Sequence, residues 1–352
     1  MITEREYVFT KMNIRSFHMI TMKELAALTG VSQPTVSRVL NGNTSVNPEV
    51  AKKVWDCARE HNYQPNMIAR GLNGSQTCLL AVMVPNIANP FFADVIKAIE
   101  GTAEKAGYSI LTFNSDYSLQ KEEKCLRLLQ QYRVDGLIAA PSRDDEEGTR
   151  HFGELTIPWR ILTRCSDRMD SVYVSHEKAG AMVAAHLLQR GIQRFLFVGK
   201  EGDDKGLGFE RGLRTGGVDT ERQLTVIWEE DRERLSSRIA AYMSSFSDRA
   251  GIFASNDMEA LLVLNILQRA GIPVPGRAAL VGFDNTFISS QIQPGITSVN
   301  QPVEEMCRFV VEDLIRQIQK KEKKPHAVRH TEFAANLVVR ASTDTGSCSG
   351  GK

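Results

Sequence analysis

The sequence predicts an α/β protein, with a small helical head followed by a two-lobed core of doubly wound parallel sheets. Three observations lead there. Residues 21–72 read as short helices with tight turns and contain no strand-like run. From about Cys78 onward, apolar strand-like runs alternate with amphipathic stretches, the pattern of parallel sheets with helices on their faces. That alternation lasts about 270 residues, too long for one sheet, so it divides into two lobes.

The head comes first. Thr21 and Glu24 have the T-x-x-E spacing of a capping box, which starts a helix by satisfying two of its orphan N–H groups. Leu25, Ala26 and Leu28 give that helix an apolar face, and Gly30 permits a sharp turn. Ser32 is an N-cap for a second helix. Pro34 falls in its first turn, where a missing N–H costs little. Val36, Val39 and Leu40 supply the buried side, leaving Gln33, Pro34, Thr35, Ser37 and Arg38 outward. A third helix begins at Asn47-Pro48-Glu49, with Val50, Val54, Trp55 and Ala58 closing a small core. This is a helix-turn-helix, whose second helix enters the major groove of DNA. Gln33 suits adenine, and Arg38 suits guanine or phosphate. Thr35 and Ser37 suit phosphate oxygens, which position without specifying sequence. Thr21, Ser32 and Asn41 complete the expected DNA-facing set.

Charge does not advertise this role. The chain has 352 residues, 43 basic and 42 acidic, so DNA contact must come from local arrangement. Residues 21–74 hold six Lys/Arg against four Asp/Glu, a slight excess that leaves affinity dependent on dimerisation and geometry. The six cysteines include no C-x-x-C pair and no histidine at metal-ligand spacing, so they read as idle thiols of a cytoplasmic protein. No metal or cofactor is expected. The N-terminus has no signal-peptide pattern, and no apolar run spans a membrane. Residues 1–18 read as an extension ahead of Met19, and 343–352 as a polar, disordered tail.

Strand-like runs follow at 79–84, 108–113, 136–140, 160–163, 194–199, 224–228, 251–255 and 278–283. Gly107, Gly191 and Gly271 end helices in the manner of left-handed C-caps. G-x-S-x-G, P-loop, strand-following G-x-G-x-x-G and H-E-x-x-H motifs are all missing, which argues against an enzyme. The glycines near 199–208 read as a surface loop, and His176 and His186 as structural.

MKELAALTGVSQPTVSRVLNG followed by YQPNMIARGL (63–72) resembles the LacI/GalR family of bacterial repressors. NPFF (89–92), VDGLI (134–138), SHEKAG (175–180), SNDMEAL (255–261), VGFDN (281–285) and TSVNQP (297–302) extend the resemblance to about residue 342. It implies a homodimer on a pseudo-palindromic operator and a periplasmic-binding-protein-like core holding a small ligand, usually a sugar. It also implies a hinge helix within 63–78 that folds on DNA. Leu72 would wedge into the minor groove, with Asn66 and Ala69 near the backbone and groove floor. The domains implied are a head at 19–62, a hinge at 63–78 and a core at 79–342. The N-lobe would take 79–175 and 303–331, the C-lobe 176–302 and 332–342.

Ligands of open α/β sheets sit at the carboxyl ends of strands. There the sequence places Asn89, which can bond a hydroxyl, and Phe91 and Phe92, which either stack on a sugar or belong to the core. Asn256, Asp284, Gln301 and Arg164 match sugar-contacting positions of the family. Two positions depart from it. Thr163 stands where many members have aspartate, and Lys205 where arginine is usual. Losing a carboxylate while keeping cations favours a sugar acid or phosphosugar; a neutral sugar remains the other reading. The lobes would cross near residues 175, 302 and 332 and act as hinges. The expected function is a repressor whose operator affinity follows its ligand. The alternative is a solute-binding protein of a transport system, which would not need residues 21–72.

Overall fold

The computed structural model describes residues 20–40, 45–63, 76–143, 145–320 and 328–344. The chain divides into two compact units, 1–77 and 78–352. The first holds α1 (Met22–Thr29), α2 (Gln33–Leu40) and α3 (Pro48–Glu60). Both arms of the Thr21–Glu24 capping box are formed, and Gly30 closes α1 with a φ of 70°. Asn47 caps α3 by accepting from the Glu49 N–H. Leu25, Val36, Val39, Val54 and Ala58 form the core of the head. Two expected core members stay outside. Leu28 is 54% exposed and Trp55 42% exposed. Each lies about 100° around its helix from the buried stripes Leu25–Thr29 and Val54–Ala58, so neither turns inward.

The second unit contains two six-stranded sheets. The N-lobe sheet comprises β1 (Leu79–Val84), β2 (Ser109–Asn114), β3 (Gly136–Ala139), β4 (Trp159–Leu162), β5 (Ser171–Val174) and β11 (His330–Phe333), in the order β2-β1-β3-β4-β5-β11. All its pairings are parallel. The C-lobe sheet comprises β6 (Arg194–Val198), β7 (Leu224–Ile227), β8 (Ala250–Ala254), β9 (Ala278–Asp284), β10 (Thr297–Asn300) and β12 (Asn336–Val338), in the order β7-β6-β8-β9-β10-β12. Only β12 there is antiparallel. Each sheet buries both faces, which is why its central strands read as unbroken apolar runs. Leu80, Val82 and Val84 of β1 enter one N-lobe core, and Ala81 and Met83 enter the other.

Helices cover these faces. The N-lobe uses α4 (Pro90–Lys105), α5 (Leu119–Tyr132), the single turn α6 (Glu146–Thr149) and, from late in the chain, α13 (Val303–Lys320). The C-lobe uses α7 (His176–Leu188), α8 (Asp204–Thr215), α9 (Thr220–Gln223), α10 (Arg232–Ser244), α11 (Asp257–Arg269) and α12 (Phe287–Gln291). The α7–α8 contact is made backbone to backbone. A Cβ at Gly180 would fall 2.1 Å from the Lys205 carbonyl oxygen, and one at Gly208 would fall 2.0 Å from that of Glu177. Glycine at both positions lets the N-termini of α7 and α8, with His176 and Lys205, lie side by side.

The chain crosses between lobes after β5, after β10 and between β11 and β12. The third crossing falls at 334–335, beyond the expected residue 332. Glu332 and Phe333 still pair with Tyr173 and Val174 of β5 in the N-lobe sheet, which sets that boundary. The tail also begins later than expected. Thr343 is 1% exposed, its carbonyl accepts from Arg190 and Arg249, and its hydroxyl meets His186 and Thr297. These bonds hold 342–343 inside the C-lobe. Residues 1–18, the hinge positions 64–75 and the chain beyond 344 lie outside the described residues.

Candidate DNA-reading face and effector cleft

On α2 the buried residues Val36, Val39 and Leu40 face the head core, while Gln33, Pro34 and Arg38 are exposed. Thr35 and Ser37 are half-buried. The Ser32 and Thr35 hydroxyls lie 2.8 Å apart, and Ser32 Oγ accepts from the Thr35 N–H at 3.3 Å. The Thr21 hydroxyl is engaged with Glu24. Two of the expected polar contacts, Thr21 and Ser32, thus serve as caps, which fixes the entry of each helix, and Thr35 is bonded to the second. Asn41, Asn66, Ala69 and Leu72 lie outside the described residues.

In each lobe the strand order reverses at a central strand, β1 in one and β6 in the other. Loops leaving the carboxyl ends on either side of such a point enclose a crevice. In the C-lobe this end carries Lys205, Ser255, Asn256, Asp284 and, on the crossing after β10, Gln301. Gln301 Nε2 donates to Asp284 Oδ1 at 2.8 Å, while its own Oε1 is buried without a hydrogen-bond partner. Burial pushes the Asp284 carboxyl up, the Lys205 charge and the Gln301 amide oppose this, and Asp203 adds to it. Lys205 Nζ donates to the Ser255 carbonyl at 2.8 Å and lies 4.3 Å from the centre of the Phe283 ring. The cation is therefore held by a carbonyl, an aromatic face and a nearby carboxylate.

His176 stands against the same ring, edge to face at 5.4 Å. Burial holds its pKa well below the usual imidazole value, and the charges of Lys205 and Arg164 lower it further. The imidazole is thus neutral. Arg164, beyond the carboxyl end of β4 in the N-lobe, is thus among the charges felt by this group. Tyr117 belongs to the N-lobe as well. Burial raises its phenol, as do the charges of Asp284 and Glu259, against Arg164. Its loop is tied to its surroundings by two bonds: Asn114 Oδ1 accepts from the Ile87 N–H, and Lys121 pairs with Asp116. Thr163 is buried at φ 77°, with its N–H donating to the Val172 carbonyl at 2.9 Å. A β-branched residue there is strained by roughly 1–3 kcal/mol, a cost usually met where function requires it.

The remaining candidates serve differently. Asn89 caps α4 by accepting from the Phe91 N–H at 3.1 Å, and Asn256 caps α11 by accepting from the Glu259 N–H at 2.9 Å. Phe91 and Phe92 pack edge to face at 5.2 Å within the N-lobe core. Of the two readings open for them, the geometry favours core. His176, read from the sequence as structural, and Tyr117 and Glu259, not singled out there, also take part in this set of interacting charges. His176 had a signal, since it stands one residue beyond the first crossing. Tyr117 had none, because its place depends on the lobes facing each other. Among the described residues, no group of three or more His, Cys, Asp or Glu side chains is arranged to hold a metal, and no helix is long and apolar enough to cross a membrane.

Comparison with known proteins extends these observations. Residues 21–66 match the model for bacterial regulatory proteins of the lacI family, and residues 184–343 match a periplasmic binding protein-like domain. The chain is 31% identical to a ribose operon repressor of Halalkalibacterium halodurans, over 93% of this chain and 98% of the relative. It is 29% identical to the HTH-type transcriptional regulator RegA of Clostridium saccharobutylicum, over 92% and 99%. Among solved structures, the lac repressor dimer bound to operator and the anti-inducer ONPF superposes with a TM-score of 0.79 at 24% identity, covering 92% of this chain and 99% of that one. A periplasmic binding protein/LacI transcriptional regulator of Alkaliphilus metalliredigens, complexed with D-xylulofuranose, gives 0.66 at 26%, covering 76% and 99%. The helix-turn-helix match at 21–66, the binding-protein match at 184–343 and the near full-length likeness to the ribose operon repressor agree, and the chain belongs to the lacI family of DNA-binding transcriptional regulators.

Proposed function

We propose that this regulator is a cytoplasmic homodimeric repressor. Gln33, Pro34 and Arg38 read a pseudo-palindromic operator, and a polyhydroxylated ligand in the cleft controls affinity. Thr21, Ser32, Thr35, Ser37 and Asn41 position the head on phosphates, and Asn66, Ala69 and Leu72 belong to the hinge. One observation carries the ligand reading. Gln301 gives its amide to Asp284 and keeps a buried carbonyl oxygen with no partner. Such an acceptor awaits a donor, and a ligand hydroxyl is the fitting one. Because Asp284 and Gln301 both present oxygens there, the hydroxyl-rich end of the ligand lies against the C-lobe. Thr163 stands where many members of the family have aspartate, while Lys205 and Arg164 keep their charges, so the cleft is short of one carboxylate. This favours a sugar acid or phosphosugar. A pentose-type neutral sugar is the second reading, supported by the ribose operon repressor and the D-xylulofuranose complex among the relatives.

Calorimetry with ribose, xylose, gluconate and ribose 5-phosphate tests the ligand class. Binding confined to the two acids supports the first reading, and binding confined to the neutral sugars replaces it with the second. A gel shift on a selected palindromic operator tests the head. Arg38→Ala is expected to lose at least tenfold in affinity, about the 1–3 kcal/mol of one bidentate base contact. Pro34→Ala should shift base preference only modestly. Unchanged binding by Arg38→Ala would mean that another face of the head meets DNA.

A further inference from the structure

The cleft loop that follows β4 carries a cysteine with unusual company. Cys165 Sγ lies 2.9 Å from His330 Nδ1, at the start of the edge strand β11, two strands from β4 in the sheet. Cys165 is half-buried and His330 exposed, so the pair is open to small solutes. Tyr173, on β5 between them, hydrogen-bonds the same sulfur, and its phenol is pushed up to about 12, first by burial and then by Cys165. The sulfur therefore has an imidazole on one side and a hydroxyl on the other. An imidazole within hydrogen-bond reach takes a thiol's proton, and a phenol O–H stabilises the resulting thiolate.

The head offers an internal contrast. Cys57 also has a histidine nearby, but His61 Nδ1 lies 3.0 Å from the Cys57 carbonyl oxygen and 3.7 Å from its sulfur. That nitrogen is occupied by backbone. Cys125 and Cys307 are buried, and burial pushes both thiols up. Among the described cysteines, only Cys165 joins partial exposure to a short contact with an imidazole nitrogen.

We propose that Cys165 is a reactive thiol and a modification site for hydroperoxides, with His330 as its base and Tyr173 as a positioning residue. The step is balanced as follows. His330 accepts the thiol proton, and the sulfur attacks one peroxide oxygen as the O–O bond breaks. The sulfur is oxidised to sulfenic acid, the peroxide is reduced, and the departing oxygen leaves as water or alcohol with the proton from His330. Cys165 shares its loop with Thr163 and Arg164, so oxidation is expected to disturb the wall opposite Asp284 through that loop. This last consequence rests on the ligand reading above, whereas the reactivity does not.

The test uses the full chain without reductant. Iodoacetamide labelling is followed by mass spectrometry, and hydrogen peroxide treatment is followed with dimedone as the sulfenic-acid trap. Cys165 is expected to alkylate at least tenfold faster than Cys57 or Cys78, and to carry the dimedone adduct. His330→Gln should remove most of that advantage, and Tyr173→Phe part of it. Cys165 reacting no faster than Cys57, or His330→Gln reacting as the parent does, overturns the proposal. Should His330→Gln fail to fold, the pH–rate profile of the parent decides. Alkylation of Cys165 persisting below pH 7 supports the pair, and a profile midpoint at the ordinary thiol value refutes it. Neither readout involves DNA or sugar, so failure here leaves the repressor reading intact.

Discussion

At the scale of the residue, the cleft is defined by groups denied their ordinary partners. Gln301 Oε1 is buried without a donor, and Thr163 is held at a φ that β-branched residues avoid. Each makes a separate prediction. Gln301→Leu should weaken ligand binding by ten- to a hundredfold in calorimetry, since it removes the acceptor and strips Asp284 of its amide. Thr163→Gly should raise the unfolding temperature by a few degrees, because glycine reaches φ 77° without strain worth about 1 kcal/mol. The same change should reduce ligand affinity. A lower melting temperature would show that the Thr163 side chain contributes more than its backbone costs. These features were only partly legible in the sequence. The identities of Asp284 and Gln301 could be read from motif and position. The orphaned oxygen and the strained threonine could not, because both follow from how separate strands and loops meet, Gln301 against Asp284 and Thr163 against Val172.

At the scale of the element, close approach of α7 and α8 brings His176 beside Lys205. Gly208→Ala would push a methyl into the Glu177 carbonyl and should destabilise the core by at least about 2 kcal/mol in urea titration. Gly101, on α4, is the control. A Cβ there meets nothing within 4 Å, so Gly101→Ala should stabilise by about 0.5–1 kcal/mol. Equal effects at the two sites would dismiss the packing argument. Long apolar strands and well-capped helices announce themselves, as β1, β6, β8 and β9 do. β5, β11 and β12 are short; exposed and half-buried residues alternate along β11, and β12 has an exposed first residue and no fully buried one. Period-two patterning over three or four residues is too brief to distinguish a strand from a loop. For the same reason the third crossing was placed early. Leu28 and Trp55 are the opposite case: both are apolar and near the right spacing, but one step off the buried stripe.

At the scale of the whole molecule, acidity should act on the core through His186. Its ring is 7% exposed, Nδ1 meets Arg190, and Nε2 meets the Thr343 hydroxyl. Burial, then the Arg190 charge, lowers its pKa to about 4 from an ordinary 6.5. The folded state therefore prefers the neutral ring, and the unfolded state binds the proton more readily. Stability from this group is fully present above about pH 6.5 and is lost as pH falls toward 4, by a total on the order of 3 kcal/mol. Urea midpoints between pH 7 and 4 should show this loss, and His186→Gln should flatten it. Between the lobes, Lys178 and Glu332 form a pair at 2.7 Å. Lys178 is largely exposed, so Lys178→Ala should change stability by no more than about 0.5 kcal/mol. The pair then bears on the relative posture of the lobes and not on whether they fold.

The burial of Thr343 has a consequence for how the molecule is made. The N-lobe sheet needs β11 for its outer strand, and the C-lobe needs β12 and then Thr343 for its interior. Residues synthesised near position 80 therefore wait for residues beyond 330 before either lobe is whole. The head waits for nothing, since its three helices close on one another within about 40 residues. On the ribosome, a nascent chain presents a finished DNA-reading module on an unfinished core. Control by ligand becomes available only when the last strands have emerged.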